Sequence, residues 1–245
     1  MTAGIDHLVV LARDLVTGVD WCERTLGVTP AAGGEHPLMG THNRLLNIAG
    51  PAHPHAYLEI IAINPQGTKT IPDRDRRWFD MDNPALRDQV ARHGPQLIHW
   101  VASVPDLAAS RAALAALGVD RGPAIAASRP TAQGLLQWQI TVRADGQRLW
   151  DGCLPTLIEW GAMHPSDHLP ASGVQLQSLQ LQHPDANALR TACDAAGLHA
   201  VVTPTEGPAP QLQARLSTPR GTLVLHSSPF PPPHRSSPCL PPRNC

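Results

Sequence analysis

A chain of 245 residues, 42% apolar and 16% charged with a formal charge of −1, can bury a sizeable core and presents no broad electrostatic footprint for nucleic acid. The N-terminal MTAGIDHLVVLARD has no basic stretch ahead of a long apolar run, and nowhere do roughly 18 apolar residues run uninterrupted, so neither a signal peptide nor a membrane span is expected. Cys22, Cys153, Cys193, Cys239 and Cys245 are odd in number and free of CxxC spacing, which argues against a disulfide framework or zinc knuckle and for a reducing cytoplasm.

Read from the N-terminus, one grammar recurs: an apolar strand, an Asp, a helix, then a Gly followed by a branched apolar residue. It runs from His7 through Asp14 to Gly27-Val28, from His99 through Asp106 to Gly118-Val119, and from Ser178 through Asp185 to Gly197-Leu198. Asp caps the orphan NH groups of a helix start, and Gly takes the left-handed conformation that ends one. Strand-like runs follow each helix, so the expected fold is α+β, built from repeated βαβββ modules. Two would form a half-barrel, and a third would be degenerate.

Module 1 spans 4–63. Leu15, Val19, Cys22 and Leu26 give its helix an apolar face, and NRLLNIA and AYLEIIAI are its last strands. Between them, Gly33 to Asn43 mixes turn formers with polar side chains. It reads either as a loop shaping a cavity mouth or as an ordinary surface loop. His53 and His55 in PAHPHAY read as a solvated turn.

Residues 64–96 form a polar connector, a linker or lid, with Pro84 placed to start a short helix. Its Arg74, Arg76 and Arg77, beside Trp78 and Phe79, read as a solvated charge run, with an anion-holding lid as the sharper alternative.

Module 2 spans 97–165, with GPAIAAS, LLQWQITVRA and LPTLIEWG as later strands. Trp100, Trp138 and Trp160 are expected in the core. Ser128, Arg129 and Gln133 to Gln139 are candidates for a cavity lining.

Module 3, 173–228, carries Ser178 where modules 1 and 2 carry His, and Leu225 where they carry Glu, which makes it a structural unit covering a sheet edge or pairing with a second chain as a homodimer. His226 is turned to the other face by alternation. The Pro- and Ser-rich tail, 229–245, is expected to be disordered.

The chemistry-bearing residues are His7 and His99, each seven positions before the capping Asp of its module, and Glu59 and Glu159, each in a last strand among apolar neighbours. A carboxylate in such surroundings is costly without a cation, a hydrogen-bond network or a metal. Together the four make an N2O2 set suited to a divalent Zn, Ni, Fe, Co or Mn ion. A buried polar network is the blander reading of the same residues. Asp6 reads as a strand-entry residue.

The stretches DHLVV, GGEHPLMGTHNRLLNI, YLEIIA, LIHWVA, SRPTAQGLLQWQIT and LPTLIEWG resemble glyoxalase-like domain proteins of the vicinal oxygen chelate superfamily. The resemblance implies paired modules around a metal held by first- and last-strand residues, here His7, Glu59, His99 and Glu159. It further implies a lyase or isomerase that stabilises an enediolate or similar oxyanion, with Glu159 or Glu59 as the base. Two alternatives stand beside it: a metal-free binding protein of the antibiotic-sequestering type, and a ring-cleaving dioxygenase using three of the ligands. The expected partner is a small molecule, with no nucleic acid and no membrane.

Overall fold

The computed structural model describes residues 2–67, 76–131 and 134–227. Arg74, Gln133 and the tail from 229 lie outside the described residues. Module 1 supplies β1 (Gly4–Leu11), α1 (Leu15–Leu26), β2 (Ala31–His36), β3 (Thr41–Asn47) and β4 (Tyr57–Ile63), followed by α2 (Pro84–His93) in the connector. Module 2 supplies β5 (Gln96–Ser103), α3 (Leu107–Ala116), β6 (Ala124–Thr131), β7 (Gly134–Thr141) and β8 (Thr156–Trp160). Last come β9 (Gln175–His183), α4 (Ala186–Ala195), β10 (Thr205–Glu206), β11 (Gln211–Thr218) and β12 (Gly221–His226).

Local chemistry sets the helix ends. Asp14 accepts from Thr17 N at 2.7 Å and Asp106 from Ala109 N at 2.8 Å, so two of the three repeated Asp residues cap their helices. Asp185 makes no such bond; instead its own NH donates to His183 Nδ1 at 2.9 Å. Gly27, with φ at 77°, closes α1 in the left-handed conformation.

Modules 1 and 2 form one curled eight-stranded sheet, a half-barrel in the order β2-β3-β4-β1-β5-β8-β7-β6. In each module the first strand pairs parallel with the last, and the modules join through antiparallel β1 and β5. The final unit keeps the element order but not the topology. Its sheet runs β10-β9-β11-β12, and its first strand pairs antiparallel with β11. Pro204, Pro208 and Pro210 interrupt the region where a longer second strand would have to form, and β10 is two residues long.

Two cores flank the large sheet. On its helix-covered face, Leu8, Val10, Ile60 and Trp100 pack with Cys22, Leu26, Leu107 and Leu114, and the smaller sheet adds Leu176, Leu181, Leu212 and Leu216 to the same cluster. The third unit therefore covers a sheet face rather than a sheet edge. On the concave face, Val9, Ile61, Val101 and Ile158 meet Trp78, Phe79, Met81, Leu86 and Val90 from the connector.

From Arg76 onward the connector is thus a plug: Arg76 itself is exposed, as a solvated charge run requires, but Arg77 is not. Arg77 is paired with Asp82 at 2.5 Å, and Asp80 accepts from Arg148 Nε at 3.0 Å, tying the segment to module 2. The helix expected at Pro84 is α2, capped by Asn83. Gly33 to Asn43, expected as a loop, is largely the β2–β3 hairpin. No helix among the described residues is long and apolar enough to cross a membrane.

Candidate active site

His7 sits on the concave face with both neighbours in β5 shifted by a bulge. Ile5 faces Ala102 and His7 faces Val101, so Asp6 is an extra residue in β1. The bulge turns Asp6 inward along with His7. Asp6 is fully buried, and its carboxylate accepts from His7 Nδ1 at 2.7 Å, from Trp160 Nε1 at 2.7 Å and from His164 Nε2 at 3.1 Å. Burial alone would raise its pKa, but the hydrogen bonds from His164 and His7 outweigh it and hold the carboxyl well below the usual range.

Because a carboxylate only accepts, His7 Nδ1 carries a proton, and Nε2 is the nitrogen left toward the cavity. That nitrogen faces Glu59 Oε2 at 3.6 Å. The other Glu59 oxygen accepts from Asn43 Nδ2 at 2.6 Å and lies 3.9 Å from His36 Nε2. His36 Nδ1 is bonded to Thr41 Oγ1 at 3.0 Å. Burial pushes the pKa of His36 down to about 4 against the opposing pull of Glu59. Tyr57 stacks on His7 with ring centroids 4.6 Å apart, its phenol raised well above its ordinary value first by burial and then by Asp6 and Glu59.

The structure brings together His7 and Glu59 but not His99 and Glu159. His99 Nδ1 donates to the carbonyl of Gly152 at 3.0 Å, which leaves Nε2 as an acceptor, already engaged by Thr156 N at 3.1 Å. Neither ring nitrogen has a free lone pair for a metal. Burial, then the charges of Arg121 and Arg148, hold its pKa well below the ordinary value, so it is a neutral, structural imidazole beneath Phe79.

Glu159 is on the other side of the sheet. Its Oε2 accepts from Leu107 N at 2.8 Å, at the first turn of α3. Ile158 and Trp160, its neighbours in β8, face the cavity instead.

Register explains both departures. Val9 pairs with Glu59 and Val101 with Thr156, so the residue of module 2 that occupies the place of Glu59 is Thr156, three positions before Glu159. In a strand an odd shift changes the face. A second bulge makes Ile98 the extra residue before His99, as Asp6 is before His7. Module 2 therefore repeats the geometry with Ile for Asp and Thr for Glu, and its histidine has lost both acidic partners.

The site opens on one side. A small cavity floored by His7, Glu59 and Asn43 adjoins a cleft of about 630 Å³ between β6–β7 and the β2–β3 turn, and His36, Trp78, Arg129 and Trp138 line both. Trp138 and Trp160 are wall residues here as much as core. Asp6, His36, Asn43 and His164 were the functional candidates that pattern reading passed over. The signals available were the Asp-His pair itself and the His and Asn within GGEHPLMGTHN. His53 and His55 stay outside the cavity, although His55, His164 and Asp167 are the set of donor atoms that all lie within 4.8 Å of one another among the described residues. Both ring nitrogens of His164 are already used, by Asp6 and by Ser166 N at 3.1 Å.

A family model described as Glyoxalase-like domain matches residues 5–197. A hypothetical protein from Staphylococcus aureus has the same fold, with a TM-score of 0.53 at 14% identity over 93% of this chain and 88% of its own. Weaker likenesses are methylmalonyl-CoA epimerase from Mycobacterium tuberculosis, at 0.36 and 15% identity over 64% of this chain and 86% of its own, and the Streptomyces coelicolor epimerase in complex with 2-nitronate-propionyl-CoA, at 0.40 and 16% over 67% and 99%. No curated protein matches in sequence.

Proposed function

Since the chain belongs to the glyoxalase-like domain family, we propose that it is an enzyme of the lyase or isomerase type, moving a proton next to an oxygen-bearing carbon of a small substrate, with His7 and Glu59 as the reacting pair. One observation carries this reading: His7 Nε2, held in place by Asp6 behind the ring, faces a buried carboxylate at 3.6 Å on the floor of an open cleft. Asn43 immobilises one oxygen of Glu59 and leaves the other toward the cavity. In this arrangement Glu59 takes the proton, His7 holds or returns it, and Asp6 keeps the imidazole in the tautomer required.

The same donors suit a divalent ion. His7 Nε2 and His36 Nε2 lie 3.6 and 3.9 Å from the oxygens of Glu59, with His36 Nε2 also 3.4 Å from Asn43 Nδ2, and the bond from His7 Nδ1 to a carboxylate is the support that metal-bound histidines usually have. His7, His36 and Glu59 would hold the ion, without His99 and Glu159. Such an ion supplies Lewis-acid stabilisation to a developing oxyanion. Two imidazoles and one carboxylate also favour iron, and with it the ring-cleaving dioxygenase reading.

The test is metal content by elemental analysis after incubation with Zn, Ni, Fe, Co and Mn in turn. Near-stoichiometric metal is expected in wild type and Glu159→Ala, and its loss in His7→Ala and Glu59→Ala. Wild type that stays metal-free sinks the metal site and makes a metal-free ligand-binding protein the better reading. Iron retention with oxygen uptake on catechols would select the dioxygenase.

A further inference from the structure

The cleft beside the reacting pair is chemically lopsided. Ile125, Trp138, Ile140 and Val142 form one wall and Met39 and Trp78 stand in the other, so its surfaces are apolar and partly aromatic. Into this space β6 sends one cation. Ile125, Ala127 and Arg129 alternate on the face of β6 that is opposite Ile140, Trp138 and Leu136, so Arg129 is on the cavity side and lines both the cleft and the small cavity over His7 and Glu59.

The guanidinium is placed by a close approach across the half-barrel. A Cβ on Gly34 would lie 1.7 Å from Arg129 Nη1, so the end of the side chain rests in the space that the glycine leaves open. Its charge acts on both His36 and Tyr57. Among the described residues no ion pair or hydrogen bond to Arg129 occurs. Glu35, which also lines the cleft, is exposed and sits opposite His42. A second donor in the wall is the indole NH of Trp78, buried without a partner among the described residues, on a residue 9% exposed.

We infer that the cleft takes an amphipathic organic anion, with its acidic head on Arg129 beside His7 and Glu59 and a flat apolar body, aromatic or branched, between Trp138 and Trp78. A cleft of about 630 Å³ is within the range that encloses a ligand of drug-like size. The head group is directed by a charge-assisted bond at the junction of the two cavities, and the body by apolar burial. The inference rests on the proposed site only for which end of the ligand reacts; the recognition itself is independent of it.

The experiment is a fluorescence titration of the full chain with 8-anilinonaphthalene-1-sulfonate, an aromatic anion, and with N-phenyl-1-naphthylamine, its neutral counterpart. Wild type should bind the anion saturably at one site, and Arg129→Gln should weaken that binding about tenfold or more while leaving the neutral probe unchanged. Gly34→Ala, which keeps the arginine but displaces its guanidinium, should do the same and guards against a folding defect in the first variant. Glu159→Ala, on the other side of the sheet, should bind both probes like wild type, and wild type that binds the anion through Arg129 but takes up no metal would fail the metal reading alone. No saturable binding, or binding of both probes alike that ignores both variants, overturns the inference.

Discussion

At the scale of single residues, the difference between His7 and His99 is a difference of neighbours. One imidazole has a carboxylate on each side; the other has a carbonyl, a backbone NH and a threonine hydroxyl at 3.1 Å. The buried, neutral state of His99 makes a pH prediction with a definite sign. Its folded pKa is lowered, so below about 6.5, the ordinary value, the unfolded chain binds a proton that the folded chain refuses. The contribution to stability is complete above that pH and is lost as the pH falls beneath it. Urea denaturation between pH 7.5 and 5 should show this slope in wild type and a shallower one in His99→Asn; equal slopes would remove His99 as its source. The sequence made both histidines visible and identical. It did not show which had acidic partners, because those are set by two bulges and by a pairing register that no short motif encodes.

At the scale of elements, helix ends and strand periods were the most legible features. Asp14 and Asp106 cap as their spacing predicts, because capping is decided within three residues of chain. Glu159 belongs to the same local physics: its carboxylate satisfies an NH at the start of α3 and favours the positive end of that helix. Glu159→Ala should therefore cost about 1 kcal/mol in chemical denaturation and leave metal content and probe binding unchanged. Loss of metal in that variant would restore the glutamate to the site. The connector reads as polar by composition, while Trp78, Phe79, Met81, Leu86 and Val90 within it are buried. Average composition does not identify a segment held by a few buried apolar side chains and two half-buried ion pairs. Gly33 to Asn43 was misread for a related reason, since glycines at a close backbone approach resemble glycines in a loop.

At the scale of the whole molecule, the half-barrel was readable from the repeat, and the placement of the third unit was not. Its elements could be counted, but its strand order and its seat on the helix-covered face depend on long-range pairing. Leu176 N reaches Ile48 O at 2.8 Å, Arg220 Nη1 reaches Arg24 O at 2.9 Å, and Leu216 is buried in the same cluster as Trp100. A shared core of this kind predicts one cooperative unfolding transition. Leu216→Ala should lower the stability of the whole by about 2–5 kcal/mol, with circular dichroism and tryptophan emission shifting together. Two separated transitions would show the third unit to be an independent domain.

The aromatic walls of the cleft have an optical consequence. Of the six tryptophans, Trp78, Trp138 and Trp160 line the connected cavities, while Trp100 is fully buried behind the sheet. Their ultraviolet emission responds to polarity and to nearby quenchers, so the protein carries its own occupancy gauge: whatever enters the cleft changes the light given off by half of its indoles, and unlabelled chain can be screened against compound libraries in a plate reader before its reaction is known.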